Sequence, residues 1–152
     1  MIRMRILIVH SDTIELSLMA AALADSYDVL AARDMEEALF FLNRIPPCRL
    51  ACFEVGSDVE AAVSNMRELG KSGMEIIALI HPPCPRLVRE AIKAGRIQGL
   101  CLLPIDIQHF TTIIRKFTSK LYHKKEDNPS HHRILTKEEI SFLLGSPLDD
   151  IR

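Results

Sequence analysis

Apolar positions along this chain alternate between two rhythms, short unbroken runs and longer stretches with a repeat of three to four. "RILIVH", from Arg5 to His10, is apolar over the length of one strand, the pattern of a strand covered on both faces. Asp12 is then placed to cap a helix, and Glu15 three residues on completes a capping box. Ile14, Leu18, Ala21 and Ala22 line one side of that helix. "YDVLAA" (Tyr27 to Ala32) reads as a second strand. Asp34 and Glu37 repeat the capping signal ahead of Ala38, Phe41 and Leu42, and Pro46-Pro47 stops that helix. Leu50 to Val55 is the third strand, and Ser57 or Asp58 opens a helix that carries Val59, Val63, Met66 and Leu69 toward Gly70 and Gly73. Glu75 to Ile80 is the fourth strand. After the stiff loop "HPPCP", Leu87, Val88, Ala91 and Ile92 mark a helix ending at Ala94-Gly95. Gly99 to Pro104 is the fifth strand, and Phe110, Ile113, Ile114, Phe117 and Leu121 recur at helical spacing. Strands alternating with helices in this way predict right-handed βαβ units. The expected fold is α/β, a doubly wound five-stranded parallel sheet with helices on both faces.

The rhythm stops near Tyr122. "HKKEDNPSHH" is charged, contains proline and has no apolar period, so residues 122–134 read as a linker between a domain at 1–121 and a tail at 135–152. The histidines of this region (His123, His131, His132) show no recurring ligand spacing, which makes a solvated linker the better reading than a metal-binding tract. The tail carries a full set of helix signals. Thr136 stands at N-cap and Glu139 at N3, Leu135 and Ile140 form a hydrophobic staple, and Gly145 followed by Pro147 closes the end. Ile140, Leu143 and Leu144 share one stripe. A helix this short is marginal alone in water, being below the ~12–15 residues usually needed, so its stripe calls for a groove.

Composition narrows the function. With 152 residues and a net charge of −1, the chain offers no electrostatic case for nucleic acid or an anionic membrane as partner. No apolar run approaches the ~20 residues of a membrane span, and the N-terminal residues run directly into a strand pattern. A cytoplasmic protein is expected. Cys48, Cys52, Cys84 and Cys101 lack C-x-x-C spacing and read as reduced, mostly buried thiols.

A (βα)5 unit opening "RILIVHSD", with "AIKAG" (Ala91 to Gly95) and "LLP" before the last helix, resembles the receiver domain of two-component response regulators, including the single-domain chemotaxis regulator. The likeness covers about Arg3 to Leu121. It implies a flavodoxin-like sheet in the order 2-1-3-4-5, with chemistry at the carboxyl ends of the strands. It also implies a magnesium site from two acids after strand one, a phosphoacceptor aspartate ending strand three, a Thr or Ser ending strand four, and a Lys before the Pro after strand five. Laid on this chain, the acidic pair falls on His10 and Ser11 with Asp12 just beyond. The phosphoacceptor falls on Glu54, the hydroxyl on Ile80 and the lysine on Leu103. Each position has changed its chemistry. The expectation is a pseudo-receiver that neither catalyses nor undergoes aspartyl phosphorylation and needs no cofactor.

Rival readings rest on the same crevice. An atypical receiver would still be phosphorylated, on Asp12 or Glu54. Glu54 could also imitate a phosphoaspartate, although Ile80 and Leu103 offer it no hydrogen bond. His10, Glu54 and His81 end neighbouring strands and together suggest a zinc-type site in a metal-binding regulator. A small α/β enzyme would need an activated nucleophile that the sequence does not specify.

The tail "LTKEEISFLL" is similar to the N-terminal peptide of flagellar motor-switch proteins, of pattern L-S-x-x-E-I-x-x-L-L. That resemblance implies a docking peptide, with Leu135, Thr136, Glu139, Ile140, Leu143 and Leu144 as its contacts. It also implies a receiving face on helix four, strand five and helix five, at Ala91, Gly99, Leu100, Cys101, Gln108 and Thr112. The expected partner is a protein: a flagellar or chemotaxis component, or this chain's own receiver face in the same or a second copy.

Overall fold

The computed structural model describes residues 3–43 and 48–126. Within them lie β1 (Arg5–Val9), α1 (Thr13–Leu23), β2 (Asp28–Ala32), α2 (Met35–Leu42), β3 (Leu50–Glu54), α3 (Val59–Lys71), β4 (Glu75–Ile80), α4 (Arg86–Lys93), β5 (Gly99–Leu102) and α5 (Ile107–Glu126). All strand pairings are parallel and the sheet order is β2-β1-β3-β4-β5, the expected flavodoxin-like arrangement. The tail expected at 135–152 lies outside the described residues.

Alternation within each strand divides the core in two. Leu7 and Val9 of β1 join Ala51 and Phe53 of β3 beneath Ala38, Met66 and Val88 of α2, α3 and α4. Ile6 and Ile8 join Cys52, Ile77 and Leu79 beneath Leu16, Met19, Phe110, Ile113 and Ile114 of α1 and α5. A parallel sheet covered on both faces needs apolar residues at every position, which is why β1, β3 and β4 read as unbroken runs. The edge strand β2 is only half-buried over Asp28 to Ala31.

Helix starts follow the expected acids. Asp12 accepts from the backbone N–H groups of Ile14 and Glu15 at 2.9 and 3.2 Å, Asp34 from Glu37 at 2.8 Å, and Asp58 from Ala61 at 3.0 Å. At α4 the chain turns away through Gly95, whose φ of +78° no side-chain-bearing residue adopts readily; Arg96 N–H then donates to Ala91 O at 2.9 Å. The Pro82–Pro83 and Leu103–Pro104 peptides are cis.

One expectation needs correction. The face of α1 turned to the core carries Leu16, Met19 and Leu23, whereas Ile14 and Leu18 are 72% and 49% exposed. The sequence TIELSLMAAAL is apolar on nearly every side, so its periodicity did not select a face; the Asp12 cap and the sheet beneath fix the rotation. The last helix, α5, runs to Glu126. Helix propensity there is ample in "YHKKE".

Candidate functional site: the carboxyl ends of β1, β3, β4 and β5

Parallel strands place all their carboxyl ends at one edge, so the residues after β1, β3, β4 and β5 share a crevice. His10 follows β1 and is drawn in by its own backbone, whose N–H donates to Ala32 O of β2 at 2.9 Å. Its imidazole is only 1% exposed. The backbone N–H of Asp12 donates to His10 Nδ1 at 3.0 Å, which makes Nδ1 the acceptor and leaves Nε2 as the nitrogen bearing the proton. Nε2 lies 2.9 Å from Glu15 Oε1. The N–H vector runs off the line to that oxygen, so Nε2 has a close charged neighbour without an aligned hydrogen bond.

Glu15 was expected to reach back and complete a capping box. Instead its Oε2 accepts from Ile105 N–H at 2.8 Å, across the crevice. One carboxylate thereby ties α1 to the loop between β5 and α5, with His10 beneath it. The sequence carried no sign of this role, because Glu at N3 looks the same whether it serves its own helix or a neighbouring loop.

Glu54 ends β3, and its Oε1 accepts from both Ser11 N–H at 2.9 Å and Ser11 Oγ–H at 2.8 Å, while His10 Nδ1 stands at 3.7 Å. The carboxylate is therefore held toward β1. Ile80 and Leu103, on the β4 and β5 side, are 1% and 2% exposed and are absorbed by the two cores on opposite faces of the sheet. Leu103 N–H donates to Ile80 O at 2.6 Å, closing the backbone where side-chain donors would otherwise stand. The hydrogen bonds that Glu54 accepts come from Ser11, on the β1 side.

The divalent ion implied by the resemblance does not fit this donor set. The two positions that would supply the acidic pair carry a buried imidazole and a hydroxyl, Ser11 gives both its N–H and its O–H to Glu54 Oε1, Asp12 Oδ1 is engaged at the helix cap, and Glu15 is held by Ile105 N–H beside His10. The zinc-type alternative finds no support in the side-chain geometry. His81 is exposed on the loop after β4, both nitrogens of His10 face protein groups, and no three His, Cys, Asp or Glu among the described residues are grouped to hold a metal.

The expected tail-receiving face fares unevenly. Gln108 and Thr112 are exposed on α5, where Thr112 Oγ–H donates to Gln108 O at 2.8 Å. Ala91, Gly99, Leu100 and Cys101 are buried. Leu100 and Ala91 belong to the core under α3 and α4, and Cys101 to the other.

Thiol chemistry is suppressed throughout. Burial pushes Cys48 up to about 11 despite the opposing pull of Arg5, and burial with the negative charge of Asp106 pushes Cys101 up to about 12. Burial, followed by the neighbouring Cys101, raises Cys52 well above 9.0. Half-buried Cys84 is raised to about 11 by burial against the pull of Arg89. None is disulfide-bonded.

Solved structures of receiver domains share this fold. A response regulator from Thermotoga maritima superposes with a TM-score of 0.68 at 21% identity, covering 78% of this chain and 99% of its own. A CheY-like response regulator receiver domain protein from Methanospirillum hungatei JF-1 gives 0.66 at 22% identity, covering 83% and 99%. The chemotaxis protein CheY4 of Vibrio cholerae gives 0.65 at 18% identity, covering 75% and 98%. No family model and no curated protein matches the sequence. The fold is that of CheY-like receiver domains. Among the described residues no helix is long and apolar enough to cross a membrane.

Proposed function

We propose that this chain is a non-catalytic signal-transduction module that works by protein contact, a receiver-like domain that does not take up a phosphoryl group. The observation that carries the reading is the double hydrogen bond from Ser11 to Glu54 beside buried Ile80 and Leu103. Phosphoryl transfer to a carboxylate needs cations and donors around the incoming oxygens. Here the acceptor position is turned to β1, and the opposite wall is aliphatic. Leu135, Thr136, Glu139, Ile140, Leu143 and Leu144 supply the contact element, a switch-peptide-like tail. The likeness of the fold to a chemotaxis protein favours flagellar or chemotaxis proteins as the external partner.

Incubation with a small phosphodonor and magnesium, followed by intact-mass measurement, tests the central claim. The expected result is no gain of a phosphoryl group. A stoichiometric adduct abolished by Glu54→Gln or Asp12→Asn would establish the phosphorylated-receiver alternative instead.

A further inference from the structure

Among the described residues, the large hydrophobic side chains left exposed are Ile14 and Leu18 on α1 and Leu39 and Phe40 on α2. Ile14, Leu18 and the exposed Ala21 follow one another at i, i+4 and i+7, so they form a single apolar line down the outer side of α1. Leu39 and Phe40 are adjacent in sequence and diverge around their helix. The line on α1 is therefore the surface shaped to take another helix.

We propose that the outer face of α1, at Ile14, Leu18 and Ala21, is the docking surface for the tail segment 136–145 of the same chain. This rests on the reading of the tail as a contact element and replaces the face on α4, β5 and α5, whose expected apolar contacts are buried. Three observations select α1. First, α1 and α5 lie on the same side of the sheet and share one core, Leu16, Met19 and Leu23 against Phe110, Ile113 and Phe117. Second, the chain leaves α5 at the edge where α1 ends. Arg49, entering β3, donates to Leu121 O at 3.5 Å, and Arg3, before β1, donates to Ala24 O at 2.8 Å, so both helix ends sit at the amino edge of the sheet. Third, the dimensions agree. Residues 127–135 span about 15–18 Å by the ~5–6 Å × √n rule, enough to reverse direction beside α5. At 1.5 Å per residue, a helix over 136–145 is about 15 Å long, against about 16 Å for the 11 residues of α1.

Run antiparallel, the stripe of Ile140, Leu143 and Leu144 meets the line of Leu18, Ala21 and Ile14, with the small Ala21 permitting close approach. A second copy of the chain is the weaker occupant. One short line covers far less than the ~1,200–2,000 Å² of a stable interface between separate molecules, whereas a tethered segment acts at an effective concentration in the millimolar range.

Amide exchange on the full chain tests this. Segment 136–145 is expected to exchange about tenfold or more slowly than an unstructured peptide, independent of protein concentration. The double variant Ile14→Ser, Leu18→Ser should return the tail to the unstructured rate while β1, β3 and β4 stay protected, because both side chains are exposed and carry little of the core. Gln108→Lys, Thr112→Lys should leave tail protection unchanged. An unprotected tail in the unmodified chain overturns the proposal together with the tail's reading as a contact element, leaving the phosphodonor result to stand or fall alone. Protection that survives the α1 variant and disappears in the α5 variant overturns the α1 surface only. Protection lost on dilution assigns the tail to a second copy and overturns docking within one chain.

Discussion

Ser11 gives two hydrogen bonds to one oxygen of Glu54, from its backbone N at 2.9 Å and its Oγ at 2.8 Å. That pair joins the ends of β1 and β3 and occupies the carboxylate that a receiver would offer for phosphorylation. Ser11→Ala removes only the hydroxyl contact, so the expected loss is about 0.5–1 kcal/mol by urea denaturation. Ser11→Asp is expected to cost more, since it sets a second carboxylate against Glu54. An equal or smaller loss for the aspartate variant would show that Glu54 is not held as described.

Shortening Glu54 alone will not create a phosphoacceptor. Glu54→Asp still faces Ile80 and Leu103, so intact mass after phosphodonor treatment should match the unmodified chain. Supplying the missing ammonium by Leu103→Lys is expected to lower stability by about 3 kcal/mol or more, because that side chain is 2% exposed within the α1 and α5 core. A Leu103→Lys protein of unchanged denaturation midpoint would contradict the burial.

Glu15 spans from α1 to the loop after β5 through its contact with Ile105 N–H. Glu15→Ala strips that backbone donor of its acceptor and leaves His10 Nε2 without its charged neighbour. Destabilisation of about 1–3 kcal/mol and faster amide exchange at Ile105 are expected. Glu15→Gln keeps an acceptor oxygen and should recover most of the protection at Ile105. If Glu15 served its own helix cap, exchange would change at the start of α1 instead.

Buried thiols give the fold an alkaline limit. In the unfolded chain a thiol loses its proton near 9.0, whereas Cys48 and Cys101 in the fold hold theirs to about 11 and about 12. A group whose folded pKa is raised contributes stability that is whole below the unfolded value and is lost as pH climbs through the folded one. The urea midpoint should therefore carry no thiol-dependent slope below pH 9 and fall between about 9 and 12, by at most ~1.4 kcal/mol per pH unit per thiol. Cys101→Ala should flatten that slope. At pH 8 an alkylating reagent should reach Cys84 first, since Cys48, Cys52 and Cys101 are buried.

The apolar runs at Arg5–Val9, Leu50–Glu54 and Glu75–Ile80 were legible because a central parallel strand has no solvent side to dilute its pattern. The capping aspartates Asp12, Asp34 and Asp58 were legible because an N-cap acts within three residues of itself. The substituted chemistry at His10, Glu54, Ile80 and Leu103 could be read by position once the strand order was expected. The burial of Ala91, Leu100 and Cys101 could not, because small or aliphatic residues near a strand edge have the same composition whether they line a groove or fill the core beneath it.

Sequence alone determined which segments become strands and helices, and which residue types end β1, β3, β4 and β5, since both depend on local periodicity and position along the chain. Tertiary structure decided the direction in which those residues act. Glu54 turns to Ser11 and Glu15 reaches Ile105, and α1 rotates Ile14 and Leu18 into solvent. Each of these outcomes depends on which surface a neighbouring element presents. A helix apolar on nearly every side, or an acid with two possible partners, carries no local mark of that choice.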